Sequence, residues 1–134
     1  MSLKLISLAS GSKGNCALIY SDTTAILCDA GISYTRIVKS LRQVGFSLCD
    51  LSGVVITHEH SDHISGAGVM CRKYGIPVYA TVDTWAAMDK KVGQVPAHLR
   101  CTFDKAQDFY LGQLGVEPFA IPHDAADPVG YRLW

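Results

Sequence analysis

Residues 57–66 read THEHSDHISG, and three of the chain's five histidines, His58, His60 and His63, fall within six positions. Two acids, Glu59 and Asp62, are threaded between them. His58, His60 and Asp62 alternate, so an extended backbone points all three side chains to one side. His63 adds a further imidazole beside the Asp62 carboxylate. Neutral imidazoles and a carboxylate converging on one point are the donor set of a divalent metal such as zinc or manganese.

Working outward, GVVIT (53–57) reads as a short buried strand that delivers the cluster at its C-terminal end. That end is where α/β sheets hold ligands and catalytic groups. Upstream, Leu3 to Ala9, Cys16 to Ser21 and Thr24 to Cys28 are strand-like runs separated by the turns GSKGN (11–15) and Asp22, which predicts an antiparallel meander. From Ser33 the period changes. Ile37, Val38, Leu41 and Val44 share one helical face, and Arg36, Lys39 and Arg42 form a basic face opposite. Ser33 is the expected N-cap and Gly45 the expected stop.

Downstream, ISGAGVMCRKY (64–74) is expected to be one helix, ended by Gly75 and Pro77. VYAT (78–81) reads as a strand, and DTWAAMDKK (83–91) as a helix capped by Asp83 or Thr84. Short strands are expected over 99–103, 107–110, 116–121 and 129–133. The last of these, in VGYRLW, ends inside an apolar run, the pattern of a strand that has a neighbour beyond it.

At 134 residues the chain is expected to form one domain with its own core. Apolar residues make up 49% and charged residues 18%, ordinary for an α/β protein. Twelve basic side chains balance twelve acidic ones, so net charge by itself points to neither nucleic acid nor membrane. No apolar run is long enough to span a bilayer, and the N-terminus lacks the layout of an export signal. Five cysteines, Cys16, Cys28, Cys49, Cys71 and Cys101, are odd in number with no C-x-x-C pair. They read as reduced thiols, four of them in apolar surroundings, and a cytoplasmic location is expected.

The pattern H-x-H-x-D-H after a strand ending in threonine resembles the metallo-β-lactamase superfamily. The resemblance implies that His58, His60 and a later histidine hold one metal, while Asp62 and His63 hold a second. His123, in EPFAIPHDAADP (117–128), follows a strand and is the expected third ligand. His98, in VPAHLR, is expected to be a surface loop residue. His63 itself is usual in the superfamily's phosphodiesterases, nucleases and thioesterases and unusual in its lactamases. Asp29, in AILCDAG, matches the aspartate that ends an early strand and orients the metal-binding loop. Glu59 falls at a position for which the resemblance implies no role.

The stretches LASGSKGNC (8–16), CDAG (28–31), THEHSDH (57–63) and PHDAADPVGY (122–131) look like the YycJ/WalJ branch, bacterial proteins related to nucleases and phosphodiesterases. The resemblance covers essentially the whole chain. Amides of the 11–15 turn, with Ser12, Lys13 and Asn15, are candidates to meet a substrate phosphate; an ordinary hairpin loop is the competing reading. The implied fold is α/β, the N-terminal half of an αββα sandwich with a mixed β-sheet and flanking helices.

The family's second half brings a metal-bridging aspartate and a final histidine, for which the eleven residues after His123 offer no obvious candidate. The chain therefore reads as a metallo-β-lactamase-like domain shortened at its C-terminus. The implied activity is metal-dependent hydrolysis of phosphodiester bonds in DNA or RNA. A metal-bound hydroxide would attack phosphorus, with Asp62 orienting and deprotonating the water. Up to two metals, zinc foremost and manganese second, would fill a complete site. Hydrolysis of a thioester or another ester, and a catalytically incomplete metal-binding fragment, are the alternatives. Self-association, or a second-half partner, is expected through the exposed C-terminal edge.

Overall fold

The computed structural model describes residues 2–134. Strands β1 (Lys4–Ala9), β2 (Cys16–Tyr20) and β3 (Ala25–Cys28) form the antiparallel meander read from the sequence. Three parallel strands extend it, namely β4 (Leu51–Val55), β5 (Val78–Ala80) and β6 (Arg100–Thr102). The result is a mixed six-stranded sheet in the order β1-β2-β3-β4-β5-β6. A second, antiparallel sheet contains β7 (Phe109–Leu111), β8 (Leu114–Ala120) and β9 (Val129–Leu133), with β8 in the middle.

Alternation along the central strands explains why the large sheet is covered on both faces. Leu18, Leu27 and Val54 point into a core shared with the helices. Their neighbours Ile19, Ile26 and Val55 point the other way and pack on Leu111, Leu114 and Val116 of the small sheet. Strands buried on both faces read as continuous apolar runs, as these do. The helical side is built by α1 (Tyr34–Gln43), α3 (Ala67–Tyr74) and α4 (Val82–Val92), with the short α2 (Ser61–Ile64) before α3. Ile37 and Leu41 of α1, Ile64 of α2, Met70 of α3, and Trp85 and Met88 of α4 are among its fully covered side chains. The layering is helix, sheet, sheet, the first three layers of the expected sandwich.

Local differences from the sequence reading have local causes. The strand leading to the histidines runs Leu51–Val55 rather than 53–57; the Ile56 amide makes the last bond to β5, donating to the Tyr79 carbonyl at 2.9 Å, and the backbone turns toward the site after it. The single helix expected over 64–74 is two, broken at Ser65 and Gly66. At Gly66 a Cβ would lie 2.3 Å from the Ile32 carbonyl oxygen, so the break lets two backbone segments meet. The N-cap of α4 is Thr81, not Asp83 or Thr84; its hydroxyl accepts the Thr84 amide at 3.2 Å. For α1 the expectation holds: Ser33 caps it by accepting the Arg36 amide at 3.4 Å.

All five cysteines are unpaired, with Cys16 and Cys71 buried and Cys49 exposed. Among the described residues no helix is long and apolar enough to cross a membrane.

Candidate metal centre

Parallel pairing of β3 with β4 sets the site. Cys28 is level with Val55, so the next residues, Asp29 and Ile56, leave the sheet side by side at the C-terminal ends of the two strands. The Asp29 amide donates to the Val55 carbonyl at 2.8 Å. Asp29 is the one non-glycine residue with positive φ (63°) among the described residues. Its short polar side chain tolerates that left-handed conformation better than most. The turn aims its buried carboxylate across at the histidine loop.

That carboxylate determines which ring nitrogens are free. Oδ1 accepts the Thr57 amide at 2.8 Å, and Oδ2 accepts the Thr57 hydroxyl at 2.8 Å and His63 Nδ1 at 2.6 Å. With its one proton given to Asp29, Thr57 Oγ1 accepts from His58 Nδ1 at 2.9 Å. On the opposite side of the site, His60 Nε2 donates to the Asp124 carbonyl at 2.7 Å. A carboxylate or carbonyl only accepts, so each of these contacts places the ring proton on the contacting nitrogen. Lone pairs are thereby left at His58 Nε2, His60 Nδ1 and His63 Nε2.

The Asp29 partners were legible in part. Asp29 and the histidines stand out in the sequence, whereas Thr57 reads there only as the end of a strand. Its position beside a histidine, with one donor and two acceptor sites in a small hydroxyl, is the signal that marks such a relay.

His58, His60 and His123 converge, with one nitrogen from each lying within 4.8 Å of the others. The ring centroids are 4.6 Å apart for His58 and His60, 4.4 Å for His58 and His123, and 5.0 Å for His60 and His123. Burial of His58 lowers its pKa to about 4, with the neighbouring His63, His123 and His60 adding to the effect and Asp29 opposing it. A neutral imidazole is the form a metal binds. Three convergent nitrogens with a fixed tautomer on two of them fit a divalent metal of the zinc type.

Asp62 is not part of that trio. Helix α2 begins at Ser61, so the extended alternation that would carry Asp62 alongside His58 and His60 stops one residue before it. Instead Asp62 Oδ2 lies 3.6 Å from His63 Nε2, and the His63 ring sits 4.1 Å from that of His58. A second donor pair therefore adjoins the first trio. Burial works against a proton on His63, but its hydrogen bond to Asp29 and the charges of Asp29 and Asp62 outweigh that and raise its pKa.

The 11–15 turn closes over this pair. Asn15 Oδ1 accepts the Gly11 amide at 3.1 Å and its Nδ2 donates to the Gly11 carbonyl at 2.8 Å, which fixes the amide's orientation. Nδ2 also lies 3.2 Å from Asp62 Oδ2 and 3.3 Å from His63 Nε2. Ser12 and Lys13 are exposed at the tip of the turn. His98 is exposed in a single 3-10 turn, away from the trio.

Two backbone approaches lock the turn, the 29–31 segment and α2 together. The Asn15 amide donates to the Asp62 carbonyl at 2.7 Å, and the Gly31 amide donates to the Asn15 carbonyl at 2.8 Å. A Cβ at Gly31 would stand 1.8 Å from the Asp62 carbonyl oxygen, so no other residue fits there without moving backbone.

The family model described as metallo-beta-lactamase superfamily matches residues 9–132. The chain belongs to that superfamily. It is 41% identical over 133 residues to a Bacillus anthracis protein named exodeoxyribonuclease YycJ, covering 99% of this chain and 50% of the relative. To the Streptococcus pneumoniae protein named exodeoxyribonuclease WalJ it is 40% identical over 128 residues, covering 94% and 48% respectively. Among solved structures, MEM-A1, a subclass B3 metallo-beta-lactamase from a soil metagenome library, superposes with a TM-score of 0.75 at 25% identity, over 96% of this chain and 54% of that one. The chain spans about half the length of the curated relatives it matches.

Proposed function

We propose that the chain is the metal-binding half of a hydrolase that cleaves phosphodiester bonds in nucleic acid. The observation that carries this reading is the convergence of one nitrogen each from His58, His60 and His123 within 4.8 Å. Phosphodiester chemistry is supported by the names of the two relatives, both exodeoxyribonucleases. The pairing of His63 with Asp62 beside the trio agrees with it.

The trio would hold one divalent ion, with zinc favoured by three nitrogen donors and manganese the alternative. When bound, the ion supplies Lewis acidity and a water acidified toward neutral pH. The chain's own groups do the rest. Asp29 and Thr57 keep His58 Nε2 free. Asp62, a half-exposed carboxylate next to the trio, is the group we assign to orienting a water and taking its proton. Asp62 and His63 offer two donors for a second ion, which should therefore bind more weakly than the first. Asn15 fixes Asp62 and His63, and Ser12 and Lys13, exposed on the same turn, are the side chains we assign to meeting a substrate phosphate. The edge of β9, unpaired among the described residues, and the exposed rings of Tyr110, Phe119 and Trp134 on the outer face of the small sheet favour pairing with a further segment or another chain.

Native mass spectrometry with metals retained, followed by assays on linear DNA, RNA and a thioester, tests this. One zinc per monomer, and DNA or RNA cleavage that requires an associated or completed form, is the expected result. Absence of stoichiometric metal sinks the metal-dependent reading. Turnover of the thioester with nucleic acid untouched sinks the substrate class.

A further inference from the structure

The third ligand, His123, lies on the loop 121–128 between β8 and β9, which has no regular secondary structure of its own. Something else must hold it against the 58–60 segment. Glu59 reaches across to it. Its Oε2 accepts the amide of Ala126, three residues past His123, at 2.9 Å. Its backbone carbonyl meanwhile accepts from Lys91 Nζ at 3.0 Å, tying the 58–60 segment to the end of α4. One residue on, His60 Nε2 donates to the Asp124 carbonyl of the same loop.

Glu59 Oε1 is buried with no hydrogen-bond partner among the described residues. Half of a carboxylate is thus desolvated for the sake of the other half's contact. A group that served only solubility would not be held in this way.

We propose that Glu59 is a positioning residue for the metal centre, latching the 121–128 loop so that His123 and the proton acceptor of His60 are both in place. The inference rests on the three-histidine reading above. Its physical content is a loop-ordering effect. The latch pre-orders a ligand that would otherwise lose conformational freedom when a metal binds, and it presents the Asp124 carbonyl that fixes the His60 tautomer. Among the described residues the side chain's one hydrogen bond is to the Ala126 amide, not to a ligand nitrogen.

The test is a zinc competition titration against a chromophoric chelator, on the full chain and its Glu59→Ala and Glu59→Gln variants. Metal-free melting curves would be recorded for each. Glutamine keeps an oxygen able to accept the Ala126 amide; alanine does not. Zinc binding about ten- to a hundred-fold weaker in Glu59→Ala, with Glu59→Gln close to the parent, is the expected pattern. Cobalt substituted for zinc should show an altered visible spectrum in Glu59→Ala alone. Parental affinity in a folded Glu59→Ala chain overturns the proposal. Equal weakening in both variants also overturns it, because it assigns the effect to charge rather than to the latch. If Glu59→Ala melts too low to titrate, Glu59→Gln and the exchange rate of the Ala126 amide in the parent decide. A fast-exchanging Ala126 amide, or a Gln variant that loses zinc, rejects the latch. A parent chain that takes up no zinc fails the metal reading itself, an outcome separable from failure of the Glu59 variants alone.

Discussion

His63 Nδ1 lies 2.6 Å from Asp29 Oδ2, and the same oxygen accepts the hydroxyl of Thr57 at 2.8 Å. One buried oxygen therefore sets the tautomer of a histidine on each side of it, His63 directly and His58 through Thr57.

Replacing Asp29 by Asn should separate fold from metal binding. Asparagine accepts the left-handed backbone at φ 63°, but an NH2 group in place of Oδ2 has no lone pair for Thr57 or His63. Zinc affinity should fall about ten- to a hundred-fold, with the metal-free fold retained. Asp29→Ala should lose the same affinity and, in addition, about 1–2 kcal/mol of stability from backbone strain. Chelator competition and urea denaturation measure the two effects. Equal zinc affinity in Asp29→Asn would contradict the tautomer assignment.

The metal-free chain should respond to pH through His58 and His63 with opposite signs. The folded pKa of His58 lies near 4, below its ordinary value of 6.5, so between those values the unfolded state binds more protons and acidification costs stability. For His63 the folded pKa is raised. Its contribution is complete below 6.5 and is lost as pH rises through the folded value. Urea melts across pH 4 to 9 should show the acid limb flattened in His58→Asn and the alkaline limb flattened in His63→Asn. Unchanged limbs in both would mean that neither shift exists.

Gly31→Ala tests the backbone contact that seats α2. A Cβ there meets the Asp62 carbonyl oxygen at 1.8 Å, and neither partner is a side chain that can swing away. We expect about 3 kcal/mol of destabilisation, the upper part of the usual range for overpacking, and weaker zinc binding because Asp62 and His63 ride on α2. A stable Gly31→Ala chain with parental zinc affinity would show that the two segments are not held this closely.

Zinc should stabilise the folded chain by mass action, about 2.7 kcal/mol at a free concentration one hundred times the dissociation constant. Thermal melts with zinc and with a chelator should therefore differ by several degrees. In His123→Ala the difference should shrink sharply, while the metal-free melting temperature stays close to the parent's, because His123 is exposed. A full zinc shift in His123→Ala would remove His123 from the ligand set.

Much of the architecture is visible in the chain itself. Continuous apolar runs such as Leu18–Ile19, Ile26–Leu27 and Val54–Val55 mark strands covered on both faces, and the period of Ile37 and Leu41 marks a helix. Metal chemistry is equally legible at His58, His60 and His63, because imidazoles so close in sequence stay close in any fold. Periodicity and spacing are local properties, and a local property survives without knowledge of the rest of the chain. What joins distant segments was decided only in three dimensions. That includes the bond of the Thr57 hydroxyl to Asp29, the Asn15 clamp on Asp62 and His63, and the Glu59 contact to Ala126. Each depends on a hydrogen bond whose partners approach within about 3 Å only after the sheet has set the strand register. No pattern in a single segment can encode such a distance.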